Sequence, residues 1–290
     1  MELEKYYIIS DKLSLDSNQW SIVIGGIGVF LTLIGFIFAF IIYRIQRIDN
    51  AKDAFNYFQS SLPELKSAID GTIDSLTTFE ESLSDENDDF GNPILTSSLN
   101  DNFINRLNIT DLNRFYITQR SNKIENFRMF LINSNFLGTY HNYFTNEINY
   151  FRSSYLEKEK IYSKWQFLRT NKFLSTITDV NERAEYKMFY SKWVQQLNSD
   201  RNVFEFGLDN KPRKVINRTL LVDNHIKPLA ENIYEHIEFS EKANEVNLIA
   251  NEVNSSFQDI KNMKQKMKKV IRSDIGKFKK ILENLKDINE

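Results

Sequence analysis

Between Ser17 and Tyr43 the chain carries no charged side chain, and nearly every position from Ser21 to Tyr43 (SIVIGGIGVFLTLIGFIFAFIIY) is apolar or small. A helix rises about 1.5 Å per residue, so about 20 such residues cover a hydrocarbon core of about 30 Å. The pattern predicts a transmembrane helix over 20–43, with Trp20 and Tyr43 at its ends as interfacial anchors. A cleaved signal peptide would need a basic start and a shorter apolar core. Here Glu2, Glu4, Asp11 and Asp16 precede the run and Arg44 and Arg47 follow it, which fits a retained anchor. The basic residues Arg44, Arg47 and Lys52 then favour a cytoplasmic C-terminal portion and an extracytoplasmic 1–19.

Inside the span the small residues Ser21, Gly25, Gly28, Thr32, Gly35 and Ala39 recur at alternating steps of four and three. Lipid gives helices no hydrophobic reason to associate, so such a stripe, which lets backbones approach closely, predicts a self-association face.

Two further stripes repeat the same spacing. One runs through Ile48, Ala51, Phe55, Phe58, Leu62, Leu65, Ile69, Thr72, Leu76, Phe79 and Leu83, and predicts juxtamembrane helices over 44–83. Pro63 interrupts it, and the Ser61-x-x-Glu64 spacing predicts a fresh helix capped at Ser61. An acidic, Gly-Pro-containing stretch then predicts a linker over 84–98. The other stripe runs from Val246 through Ala250, Val253, Phe257, Ile260, Lys264, Met267, Ile271, Asp274, Phe278, Ile281, Leu285 and Ile288, and predicts a coiled-coil-like helix over 241–290. Its mixed Val, Ala, Phe and Met positions favour packing in a bundle, with a hairpin-like contact to the 48–83 stripe ahead of a parallel oligomeric coil.

The intervening 99–240 shows helical periodicity without heptads. Candidate helices are 111–133, 136–172, 180–197 and 215–240, with Asp179-x-x-Glu182 as a cap for the third and a short hairpin around Phe204 and Phe206. The stripe Phe136, Tyr140, Tyr143, Phe144, Phe151, Tyr155, Tyr162, Trp165 and Leu168 reads as core.

Composition narrows the class. With 9 Gly and 4 Pro in 290 residues, turns are scarce, and an all-α fold follows; zero Cys excludes disulfides, thiolate metal sites and cysteine nucleophiles. Charge changes the picture in one place. Lys261, Lys264, Lys266, Lys268, Lys269, Arg272, Lys277, Lys279 and Lys280 face one nearby acid, Asp274, so this stretch is a candidate anionic-surface contact, with membrane lipid ahead of nucleic acid because an already anchored chain needs only a modest extra contribution to return to the inner leaflet. The plain alternative is a solvated bundle face.

Chemical motifs are few. The three histidines form no i, i+4 pair, and no phosphate-binding or dinucleotide loop occurs, so neither a metal nor a cofactor is expected. Arg218 and His225, separated by six residues, match an Arg-x(4–6)-His spacing. In this one motif and in helical content the chain resembles the HEPN ribonucleases, and the resemblance implies His225 as acid or base and Arg218 as phosphate stabiliser at a dimer interface. Thr219 stands where that family has a more polar residue. The same pair also fits an Arg and a His on a helix-to-loop segment before Pro228. The layout of an anchor joined to a helical domain resembles bacterial abortive-infection effectors as well. The reading that rests on the residues themselves is a membrane-anchored, self-associating helical protein that presents a bundle to a protein partner or to the membrane surface.

Overall fold

The computed structural model describes residues 16–84, 93 and 102–289. Most of the predicted extracytoplasmic segment and of the acidic linker lies outside the described residues. The fold is all-α, 85% helical with 3% strand.

The elements, in order, are α1 (Ser17–Ser82), α2 (Asn102–Arg106), α3 (Ile109–Gln119), α4 (Ile124–Ser134), α5 (Leu137–Asn171), α6 (Ala184–Ser199), β1 (Phe204–Phe206), β2 (Pro212–Val215), α7 (Arg218–Leu221), α8 (Lys227–Asn232) and α9 (Glu241–Asn289). Short 3-10 turns stand at Ser121–Lys123, Phe173–Ile177 and Ile233–His236, and a π turn at Val222–Ile226 joins α7 to α8.

Helix α1 does not restart at Ser61. Pro63 lies inside it, and the Ser60 and Ser61 hydroxyls both donate to the Tyr57 carbonyl at 2.8 Å instead of capping a new helix. The cost of the missing proline N–H is met by a stripe buried on both sides of it: Phe58, Leu62, Leu65, Ile69, Thr72, Leu76, Phe79 and Leu83. Thr72 satisfies its hydroxyl within the helix, on the Ala68 carbonyl at 2.8 Å.

The chain divides into two compact units, 1–62 with 106–127, and 63–105 with 128–290. In the first, Phe55 stacks on Phe115 at 4.1 Å and Tyr116 on Phe127 at 4.3 Å, with Phe58 edge-on to Phe127. Asn108 caps α3 by accepting from the Asp111 N–H at 3.1 Å. The predicted helix 111–133 is two helices, because Arg120 leaves helical geometry (φ −138, ψ 53) and a 3-10 turn follows.

In the second unit, α5 and α9 run antiparallel. Tyr140 meets Phe278, Lys158 pairs with Asp259, Lys164 with Glu252 and Lys172 with Glu245, so each step forward on α5 meets a step back on α9. The end of α1 is antiparallel to α9 too: Glu80 accepts from Arg272 at 2.6 Å, and the Ser84 carbonyl from Lys264 Nζ at 2.9 Å. Exposed ion pairs of this kind contribute little. The stabilising term is the α9 stripe, every one of whose positions from Val246 to Ile288 is buried, Lys264 and Asp274 included.

An aromatic cluster fills one end of this unit, with Tyr162, Trp165, Phe173, Tyr186, Tyr190 and Trp193 packed against Val246, Ala250, Val253 and Phe257. Asp179 does not cap α6. Arg183 holds the cap position, while the Asp179 carboxylate accepts from Lys242 and from the Asn181 N–H. The hairpin is present, with Phe204 opposite Val215 and a bulge between Glu205 and Phe206. Asn210 turns it at φ 57, a left-handed conformation that Asn adopts readily. The predicted helix 215–240 is broken into α7, the π turn, α8 and a 3-10 turn.

Candidate functional site

Asn217 opens α7 by accepting from the Leu220 N–H at 3.0 Å, which sets Arg218 on the first turn. Its guanidinium makes two 2.6 Å hydrogen bonds to Glu159 of α5 and lies over the Tyr162 ring, 4.2 Å from its centroid. The Arg218 side chain is 11% exposed and Glu159 25%, so an anion approaching Arg218 meets the carboxylate first. Burial pushes the Tyr162 hydroxyl upward, against the lowering effect of Arg218 over its ring.

His225 sits in the π turn, a geometry found frequently at functional sites. Its Nε2 lies 2.8 Å from Asp200 Oδ2, and its carbonyl accepts from Trp193 Nε1 at 3.0 Å. The hydrogen bond from His225 is the chief reason the Asp200 carboxyl is held below the usual range. Arg218 and His225 are thus each engaged by a different carboxylate. A carboxylate can orient an imidazole for proton transfer, but the same contacts also fasten two short helices to the core. Among the described residues no group of three or more His, Asp or Glu is placed to hold a metal ion.

The nine basic residues of 261–280 do not form one surface. Lys264 is buried in the stripe, Arg272 pairs with Glu80, Lys277 Nζ bonds Asp274 Oδ1 at 2.7 Å, and Lys261 lies over the Phe257 ring at 4.7 Å. That leaves Lys266, Lys268, Lys269, Lys279 and Lys280 with neither an ion pair nor a ring contact among the described residues.

Beside two of them the structure places a feature that no sequence motif announces. A groove of about 440 Å³ lies between α5 and α9, floored by Tyr150, Phe151, Met263, Met267 and Val270 and edged by Lys266, Lys269 and Glu147. Tyr150 falls off the core stripe of α5 and is 73% exposed. Its off-stripe position is the only sequence sign of the groove.

In the span, nothing approaches within 4 Å of a side chain built at Gly25, Gly28 or Gly35, and the Thr32 hydroxyl is satisfied by the Gly28 carbonyl at 2.8 Å. Ser21 and Ala39 are likewise exposed. Among the described residues one helix, α1, is long and apolar enough to cross a membrane. Compared with known families, with curated proteins and with solved structures, this chain has no match.

Proposed function

We propose that the chain is a single-pass membrane protein, self-associated through its span, whose helical region faces the cytosol and serves as an interaction module for a protein partner. One observation carries the reading: the contrast in exposure along α1. Its most apolar window has no buried residue, with Ile22 74% and Phe36 69% exposed, whereas Phe58, Ile69 and Leu76 further along the same helix are fully covered. An exposed apolar surface of that extent is stable only in an apolar surrounding, and a bilayer provides one for a helix that satisfies its own backbone. The surface lysines of α9 add a positive field that favours an acidic partner.

The absence of Cys makes the test direct. Ser153→Cys places a single thiol on an exposed position of α5. The protein should stay with membranes through an alkaline wash and react with an impermeant maleimide only after permeabilisation. Release by the wash refutes the anchor, and labelling of intact cells refutes the orientation.

A further inference from the structure

We propose that the groove between α5 and α9 binds a free fatty acid, its chain on the apolar floor and its carboxylate on Lys266 and Lys269. The floor is supplied by both helices, Tyr150 and Phe151 from one and Met263, Met267 and Val270 from the other. Methionine thioethers are polarisable and unbranched, so they conform to a chain of variable shape. Phe151 and Met267 are 5% and 4% exposed, which gives the floor a fixed base.

Charge sets the polarity of the ligand. Lys266 and Lys269 are exposed, lie on the same helix and make no ion pair among the described residues, while the one acid at the edge, Glu147, belongs to the other helix. An aliphatic body with a single anionic end fits that asymmetry. Size separates this occupant from a protein partner. The volume lies within the roughly 300–1,000 Å³ of small-ligand sites, whereas a stable protein interface needs about 20–30 residues a side. The inference does not depend on the membrane reading, because the groove belongs to one unit and is complete without the span.

The test uses the full chain in phosphatidylcholine nanodiscs, with a diazirine-bearing palmitate as probe and cross-linked residues located by mass spectrometry. Labelling around Tyr150, Met263 and Met267 should be saturable and competed by palmitate but not by hexadecanol. Lys266→Glu with Lys269→Glu should weaken it about tenfold or more, the loss expected when attraction becomes repulsion. Lys279→Glu with Lys280→Glu, two unpaired lysines that do not line the groove, should leave it within about twofold. Val270→Trp should abolish labelling by filling the groove while the melting temperature holds. The proposal is overturned if labelling is confined to the span, does not saturate, or falls equally with both charge-reversed pairs. Displacement by an acidic amphipathic peptide but not by palmitate also overturns it, in favour of a protein occupant.

Discussion

Asp274→Leu is expected to stabilise the protein. Asp274 occupies a stripe position of α9 with 1% exposure, and only one of its oxygens is engaged, by Lys277 at 2.7 Å. The other is buried without a hydrogen-bond partner, and the nearby Tyr140 hydroxyl, also buried, stops short of bonding geometry. That hydroxyl is pushed far up by burial first and by the Asp274 charge second. Withdrawing a carboxylate from water costs several kcal/mol, and one charge-assisted hydrogen bond returns about 1.5–3 kcal/mol. Leucine has a similar branched shape, adds roughly 1.5–3 kcal/mol of apolar burial, and leaves Lys277, 51% exposed, to turn into solvent. The balance is a gain of about 1–3 kcal/mol, or about 2–12 °C in Tm for a domain of this size. Urea unfolding of the detergent-solubilised full chain, followed by circular dichroism, measures it. A variant less stable than wild type by more than about 1 kcal/mol, or one with a smaller denaturant slope, would show that the carboxylate fixes the register of the bundle, and the reasoning would fail.

The Asp200–His225 contact has a pH signature. Because the Asp200 carboxyl is depressed below its usual 3.8, its contribution is present above that pH and is lost as the pH falls through the lower folded value. Asp200→Asn should therefore cost about 1–2 kcal/mol at pH 7, with the gap to wild type closing in acid; a gap independent of pH would refute the assignment. Arg218→Ala should cost about 1–3 kcal/mol by leaving Glu159 without its two hydrogen bonds, read by the same unfolding assay. The full chain should not cleave single-stranded RNA; cleavage that disappears in His225→Ala would establish the catalytic assignment instead. Gly28→Leu together with Gly35→Leu should abolish oligomers seen by native mass spectrometry in detergent, since both positions open onto unoccupied space. Unchanged assembly would move the contact elsewhere.

What the sequence disclosed was what periodicity encodes. The α9 stripe was legible to the residue, including its two polar members, because a helix repeats its buried face at steps of three and four whatever it packs against. The hairpin at Phe204 and Phe206 was legible from its turn residues. The unbroken α1 was not, because a proline signal is local while the burial of Leu62, Leu65 and Ile69 around it is a tertiary effect. Nor were the breaks at Arg120 and Val222, where backbone geometry changes without any change in the apolar pattern. The Arg218 and His225 spacing was visible, but their partners Glu159 and Asp200 stand 59 and 25 positions away. The groove was hidden for a related reason: its two walls are more than a hundred positions apart, and only antiparallel packing brings them together.

Helix α9 leaves the ribosome after α1 and α5, and it covers apolar faces of both elements made long before it. A nascent chain that has completed α5 still shows Tyr140, Phe144, Tyr162 and Trp165 to solvent until Glu241–Asn289 emerges. Translation that stops short of Glu241 therefore yields a product with an uncovered aromatic face, a natural substrate for chaperones and proteases. Synthesis of this bundle is in effect proofread by α9, and termination upstream of Glu241 should be seen as loss of the protein rather than as a shortened, working form.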